Sequence, residues 1–214
     1  MPTVHELRLA GQPMRVFADR ALYWPARRRL LIADLHLGKG NVFRSAGISV
    51  PTGGTRHDLA RLDVLMHDSG ARELWILGDF LHGARHADVE QAWTAFMAAH
   101  PRVHVGVVAG NHDRALVASE LGVALVPDDI REGPFRFRHH PLAAADAGGA
   151  HVLCGHLHPV IRVPHLPGRY PAFLLQPAQT ILPAFSAFTG GHRIDDRRSP
   201  WIACVEGELL AHPG

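Results

Sequence analysis

The sequence predicts an α/β (α+β) fold, a four-layer α/β/β/α sandwich in which two sheets pack face to face with helices outside, in one domain spanning residues 1–214. Three observations predict it. The first half alternates short apolar runs with stretches of helical spacing, the rhythm of βα units. The second half is mostly strand-like, with little helix after residue 122. Acidic and imidazole residues stand just beyond the ends of successive apolar runs, where open α/β sheets build their sites.

The chain opens with two extended runs, residues 4–9 and 14–17, around the turn signal Gly11-Gln12-Pro13. Residues 29–33 read as a buried strand that delivers Asp34. The polar, glycine-rich stretch from Gly38 to Gly54 is expected as a loop. Leu59, Leu62, Leu65 and Met66 give residues 55–69 helical spacing. Residues 73–77 form the next buried strand, with Asp79 past its end; residues 88–99 look helical, and residues 103–108 are a strand that leads to Asn111. Later strands are expected around 123–126, 135–139, 151–154, 160–163, 172–175, 179–182 and 201–205, the last followed by a hairpin through Gly207. The run from Gly190 to Pro200 reads as a solvated loop. No internal repeat or low-complexity segment interrupts the pattern.

Composition narrows the class. With 214 residues, 47% of them hydrophobic, and mean hydropathy near zero, the chain reads as an ordinary globule. No apolar run approaches the roughly 20 residues that span a bilayer. The first residues show no basic-then-apolar secretion signal, and Cys154 and Cys204 are no disulfide framework, so a cytoplasmic location is expected. Cys154, inside Val152-Leu153-Cys154, reads as a buried thiol rather than a ligand. Twenty-two Lys and Arg against twenty Asp and Glu leave +2, unlike a broadly basic nucleic-acid binder. His57, His67, His100 and His104 read as ordinary surface or core histidines, and the four tryptophans as core.

Four segments carry the chemistry: Asp34-Leu35-His36, Gly78-Asp79, Gly110-Asn111-His112-Asp113 and Gly155-His156-Leu157-His158, with His139-His140-Pro141 as a fifth candidate. Carboxylate oxygens and imidazole nitrogens suit Mn, Fe and Zn, and one Asp can bridge two ions about 3.5–4 Å apart. Alternation in His156-Leu157-His158 is expected to put both imidazoles on one side of an extended segment. The set points to a two-metal phosphoesterase.

In this order the motifs resemble those of the calcineurin-like metallophosphoesterases. Asp34-Leu35-His36-Leu37-Gly38-Lys39, Phe43-Arg44, Gly47, Val50-Pro51, Gly53, His139-His140-Pro141 and Gly155-His156-Leu157-His158-Pro159 resemble a bacterial subgroup, the ligase-associated DNA damage response endonucleases. The resemblance implies a fold of metallophosphoesterase type and two divalent metal ions, with Mn the leading choice and Fe or Zn the alternatives. Asp34, His36 and His158 would hold the first ion, Asp79 would bridge, and Asn111, His139 and His156 would complete the second, with His140 in place of His139 as the alternative. His112 would face the leaving oxygen as proton donor, and Asp113 would orient its ring or cap a helix starting near Arg114. Lys39, Arg44 and Arg56 are candidates for substrate phosphates, and His82 and His86 for the pocket wall.

The resemblance further implies hydrolysis of phosphodiester bonds, with nucleic acid as substrate in DNA repair and with ligase- or helicase-associated partners. Two other readings stay open. One is a small-molecule enzyme acting on a nucleotide or cyclic nucleotide, and the other a non-catalytic scaffold of this fold.

Overall fold

The computed structural model describes residues 3–194 and 199–213. Residues 195–198, part of the expected solvated loop, lie outside the described residues.

The first sheet begins as a meander: β1 (Val4–Leu9), β2 (Gln12–Phe17), β3 (Ala21–Trp24) and β4 (Arg29–Ile32) pair antiparallel in sequence. Ala10 and Gly11 both have positive φ, 46° and 78°, which is what a two-residue turn matched to strand twist requires. The turn is thus Ala10-Gly11; Gln12 and Pro13 belong to β2, opposite Leu9 and Arg8. From β4 the pairing becomes parallel, through β5 (Glu73–Leu77), β6 (His104–Val108) and β7 (Ala124–Val126). Three helices belong to this half: α1 (Lys39–Ser45), α2 (Gly54–Ser69) and α3 (Ala87–Ala99). Part of the expected 38–54 loop is therefore helical. No residue of α1 is buried, so it carries no apolar stripe that periodicity could detect.

The second half builds a mixed sheet of β8 (Ile130–Glu132), β9 (Phe135–Phe137), β10 (His151–Cys154), β11 (Pro159–Ile161), β12 (Tyr170–Gln176), β13 (Gln179–Ile181), β14 (His192–Arg193), β15 (Trp201–Val205) and β16 (Glu208–His212). Its spatial order is β14-β11-β12-β13-β10-β9-β8, and β15 and β16 branch from β12.

Strand alternation divides the central strands between two cores. Leu30, Ile32, Leu74, Ile76, Val105 and Val107 face α2 and α3, packing against Leu59, Leu62, Leu65, Trp93 and Phe96. Leu31, Ala33, Leu77 and Val108 face the other way, against Phe135, Phe137, Leu153, Phe173, Leu182 and Ile202 of the second sheet. Each fully buried Leu or Ile contributes about 1.5–3 kcal/mol of transfer free energy. The two sheets pack as expected, and the fourth layer is thin. A 3₁₀ turn at Ala144–Ala147, with Leu142, Leu157 and Ala178, covers Val152, Cys154, Leu174 and Ile181. Arg29 ties the sheets at their edge: it bridges Glu73 at 2.6 Å and Glu132 of β8 at 2.7 Å, with its guanidinium 3.6 Å from the Trp75 ring centroid. Among the described residues, no helix is long and apolar enough to cross a membrane.

Candidate metal centre

Every motif sits where a strand stops. Asp34 follows β4, Asp79 follows β5, Asn111 follows β6 and His156 follows β10. The turns there are unusual: Asp34 (φ 54°), His36 (48°), Asp79 (50°), His156 (69°) and His158 (48°) all have left-handed backbone. Such a conformation costs a non-glycine residue on the order of 1–2 kcal/mol, and it persists only where surrounding contacts over-determine it. Those contacts are present. Asp34 N donates to Gly78 O at 3.2 Å, His36 N to Asp79 O at 2.8 Å and His82 N to Leu37 O at 3.0 Å, zipping the first two loops together. The His156-Leu157-His158 segment is consequently a tight turn, not the extended run expected from alternation. Its two imidazoles reach different groups.

One group is Asp34, His36, Asp79 and His158; the other is His139, His140 and His156, and in each the ligand atoms lie within 4.8 Å of one another. Asn111 Oδ1 is 3.0 Å from His139 Nε2, which is also 3.1 Å from His156 Nδ1. Asp79 lies between the groups, with Oδ2 3.7 Å from His36 Nε2 and Oδ1 3.7 Å from His139 Nε2. All seven expected ligands therefore converge, and His140 joins them from the surface, while His139 is fully buried.

The donor set fits divalent cations on several counts. Asp34 is wholly buried and its Oδ1 has no hydrogen-bond partner; His158 Nε2, 3.2 Å away, approaches outside hydrogen-bond geometry. A buried carboxylate oxygen left so is costly unless a cation compensates it. His139 Nδ1 donates to Leu77 O at 3.1 Å and His158 Nδ1 to Gly190 O at 3.3 Å, which leaves each Nε2 with its lone pair pointing inward. Burial, reinforced by Lys39, His158, His82 and His112, holds the His36 imidazole down at about 2, so it stays neutral as ligation requires. His156 and His140 are also lowered, chiefly by burial.

The motif glycines make room for this convergence. A Cβ on Gly110 would lie 2.2 Å from Asp79 Oδ1, and one on Gly155 2.6 Å from Asp34 Oδ2. Asp34 Oδ2 instead accepts from His156 N, and Asp79 Oδ1 from His112 N, both at 2.9 Å.

Asp113 behaves differently from either expectation. Its Oδ1 accepts from Leu81 N (2.8 Å), and its Oδ2 from Phe80 N (3.2 Å) and Gly110 N (2.9 Å). Both oxygens face neighbouring loops, so the carboxylate neither caps the 3₁₀ turn Asp113–Ala115 nor turns toward the His112 ring. Burial raises its pKa in spite of these bonds.

Lys39, Arg44 and Arg56 line one groove of about 260 Å³ beside His36, with Asn41, Ser186 and Phe188. Arg44 is braced by donating to Pro51 O and Asn41 Oδ1, and Lys39 Nζ donates to Thr189 Oγ1. Arg20 and Arg61 hold the opposite bank by donating to Ala184, Phe185 and Ser186 carbonyls. Sequence reasoning set His82 on the pocket wall; the structure puts its Nδ1 3.1 Å from His36 Nδ1. Its spacing three residues after Asp79 was the available signal.

A family model for calcineurin-like phosphoesterases matches residues 27–175, most of the chain. The chain belongs to that family. This phosphoesterase is also similar to the solved Pseudomonas putida nuclease MPE, at 33% identity and a TM-score of 0.85, over 98% of this chain and all of that one. That likeness is consistent with the ligase-associated endonuclease subgroup. An Aquifex aeolicus protein of unknown function, AQ665, aligns at 17% identity and a TM-score of 0.44 over 61% of this chain and 78% of that one. The search of curated proteins found no match to this chain.

Proposed function

We propose that this phosphoesterase is a nuclease that hydrolyses phosphodiester bonds with two divalent ions, Mn being favoured by the mixed carboxylate and imidazole set. The observation that carries the reading is the buried Asp34 Oδ1, without a hydrogen-bond partner and facing imidazoles, with Asp79 between two ligand groups. Asp34, His36, Asp79 and His158 would hold one ion; Asp79, Asn111, His139 and His156 the other. When bound, the ions neutralise charge on the phosphoryl oxygens and activate water for attack.

The chain's own residues do the rest. Lys39, Arg44 and Arg56 bind flanking phosphates along the groove, Arg through its two-pronged donor set. His112 holds a proton for the leaving oxygen. Its backbone N–H, bound to Asp79 Oδ1, keeps it in register with the bridge. Asp113 fixes the backbone of the Gly110 and Phe80-Leu81 turns, so that Asp79 and His112 hold their separation. Likeness to a nuclease favours nucleic acid as substrate, in the cytoplasm and in DNA repair beside ligase- or helicase-associated partners. A nucleotide-sized diester is the second reading, favoured by the small groove.

Assays with Mn on single-stranded and plasmid DNA, RNA, cyclic nucleotides and a nitrophenyl diester test the reading. Metal-dependent cleavage of a nucleic acid is expected. Turnover of a small diester without strand cleavage would favour the second reading, and inertness toward all of them would sink both.

A further inference from the structure

His82 lies outside the ligand set yet touches both halves of the candidate machinery. We propose that His82 is a positioning residue that fixes the ring tautomer of His36, leaving the His36 Nε2 lone pair open toward Asp79 and His158. The inference rests on the two-metal reading for what His36 does, while the tautomer itself belongs to the chain alone.

Three candidate ligands turn Nε2 inward. His36 Nε2 is 3.5 Å from His158 Nε2, His139 Nε2 is 3.0 Å from Asn111 Oδ1, and His158 Nε2 is 3.2 Å from Asp34 Oδ1. A neutral imidazole that offers the Nε2 lone pair carries its proton on Nδ1, and that N–H needs an acceptor. For His139 and His158 the acceptor is a backbone carbonyl oxygen, of Leu77 and Gly190. A carbonyl can only accept, so those tautomers are set by the fold. His36 Nδ1 instead meets Nδ1 of His82 at 3.1 Å. An imidazole nitrogen accepts or donates according to its own proton, so here a side chain makes the choice.

The position of His82 is well determined. Its backbone N–H donates to Leu37 O at 3.0 Å, beside the Leu37–Leu81 bridge. Its ring stacks on His112, with centroids 4.6 Å apart and planes 19° from parallel, and Phe43 meets it edge-on at 6.2 Å. With its proton on Nε2, His82 presents Nδ1 as the acceptor to His36 while its face supports the candidate proton donor. Removal of such a partner typically costs 10–100-fold in metal affinity.

The test reads ring nitrogens and metal affinity rather than turnover. In metal-free protein with ¹⁵N-labelled histidine, long-range ¹H–¹⁵N spectra are expected to show His36 protonated at Nδ1. His82→Leu should move that proton to Nε2 and weaken Mn binding, followed by the free-ion EPR signal, by about 10–100-fold. His82→Asn keeps a side-chain carbonyl near the Nδ1 position and should restore both. Wild-type His36 protonated at Nε2 would overturn the proposal, and so would equal losses in the Leu and Asn variants. If wild-type protein binds no Mn, the two-metal reading fails, and the tautomer comparison alone decides the role of His82.

Discussion

A Cβ on Gly78 would stand 1.9 Å from Nδ1 of His139, the nitrogen that donates to the Leu77 carbonyl. The glycine is space kept for an imidazole, and its φ of 86° turns the chain so that Asp79 faces inward. Gly78→Ala must displace the ring or rebuild the turn. Bound metal, measured by elemental analysis, is expected to fall from two ions to one or none, and activity with it. Gly83→Ala is the control: its φ is similarly positive at 81° but nothing lies within 4 Å of the added carbon. It should keep its metal and lose only strain energy, on the order of 1 kcal/mol.

The role proposed for His112 separates chemistry from ligation. Its ring packs against His36 and His82, and it belongs to neither ligand group. His112→Ala is expected to retain metal while slowing cleavage of diesters with poor leaving groups by about 10²–10⁴-fold, the usual range for general acid catalysis. A nitrophenyl diester, whose leaving group needs little protonation, should slow much less. Metal loss in the variant would make His112 a ligand instead.

Asp113 is expected to act through the backbone. Asp113→Ala leaves the buried N–H groups of Phe80 and Leu81, and the part-buried one of Gly110, without their acceptor. Each orphaned donor costs about 1–3 kcal/mol, partly relieved where water enters. A loss on the order of 3 kcal/mol in denaturant unfolding is expected, with activity falling as the Asp79 loop shifts. Asp113→Asn keeps an acceptor oxygen and should lose less of both. Equal loss of activity in the two variants at unchanged stability would point to a direct chemical role.

The placement of the candidate site was legible because strand ends and polar triplets are local facts: β4, β5 and β6 are apolar runs, and Asp34, Asp79 and Asn111 stand two or three residues past their ends. What local reading misses is set by partners distant in the chain. Nothing near Asp113 marks the N–H groups of Phe80 and Leu81 as its targets, since that pairing depends on β5 and β6 lying side by side. The left-handed backbone at His156 and His158 is imposed by contacts such as His156 N to Asp34 Oδ2, so alternation alone suggested an extended run. Helix α1 escaped because it begins at a left-handed Gly38 and buries no residue.

Arg44 tests the groove. Held by Pro51 and Asn41 in the wall beside His36, it is expected to contact one substrate phosphate. Each lost contact flattens the slope of log affinity against log salt by about 0.9 on duplex and about 0.7 on single strands. Arg44→Ala should show that change when binding is titrated over a range of salt. An unchanged slope would remove Arg44 from the contact set and leave the groove to Lys39 and Arg56.

His151 gives a pH dependence that is separate from the candidate metal site. It is buried in β10, its Nε2 lies 2.9 Å from Thr180 Oγ1, and the Phe135 ring meets it edge-on at 6.2 Å. Burial lowers its pKa from the ordinary 6.5, only partly offset by a backbone hydrogen bond at Pro177. Because the folded value lies below the unfolded one, the unfolded chain binds the proton more readily. The stability that neutral His151 contributes is therefore complete above 6.5 and drains away as pH falls from there toward the lower folded value. His151→Gln keeps a polar partner for Thr180 without titrating. Wild type is expected to lose more melting temperature than the variant between pH about 8 and about 5.5, each pKa unit of difference being worth about 1.4 kcal/mol at the acid end. Every other residue is common to both proteins, so the difference between the two curves isolates His151. Parallel curves would show that its pKa is the same in the folded and unfolded chain.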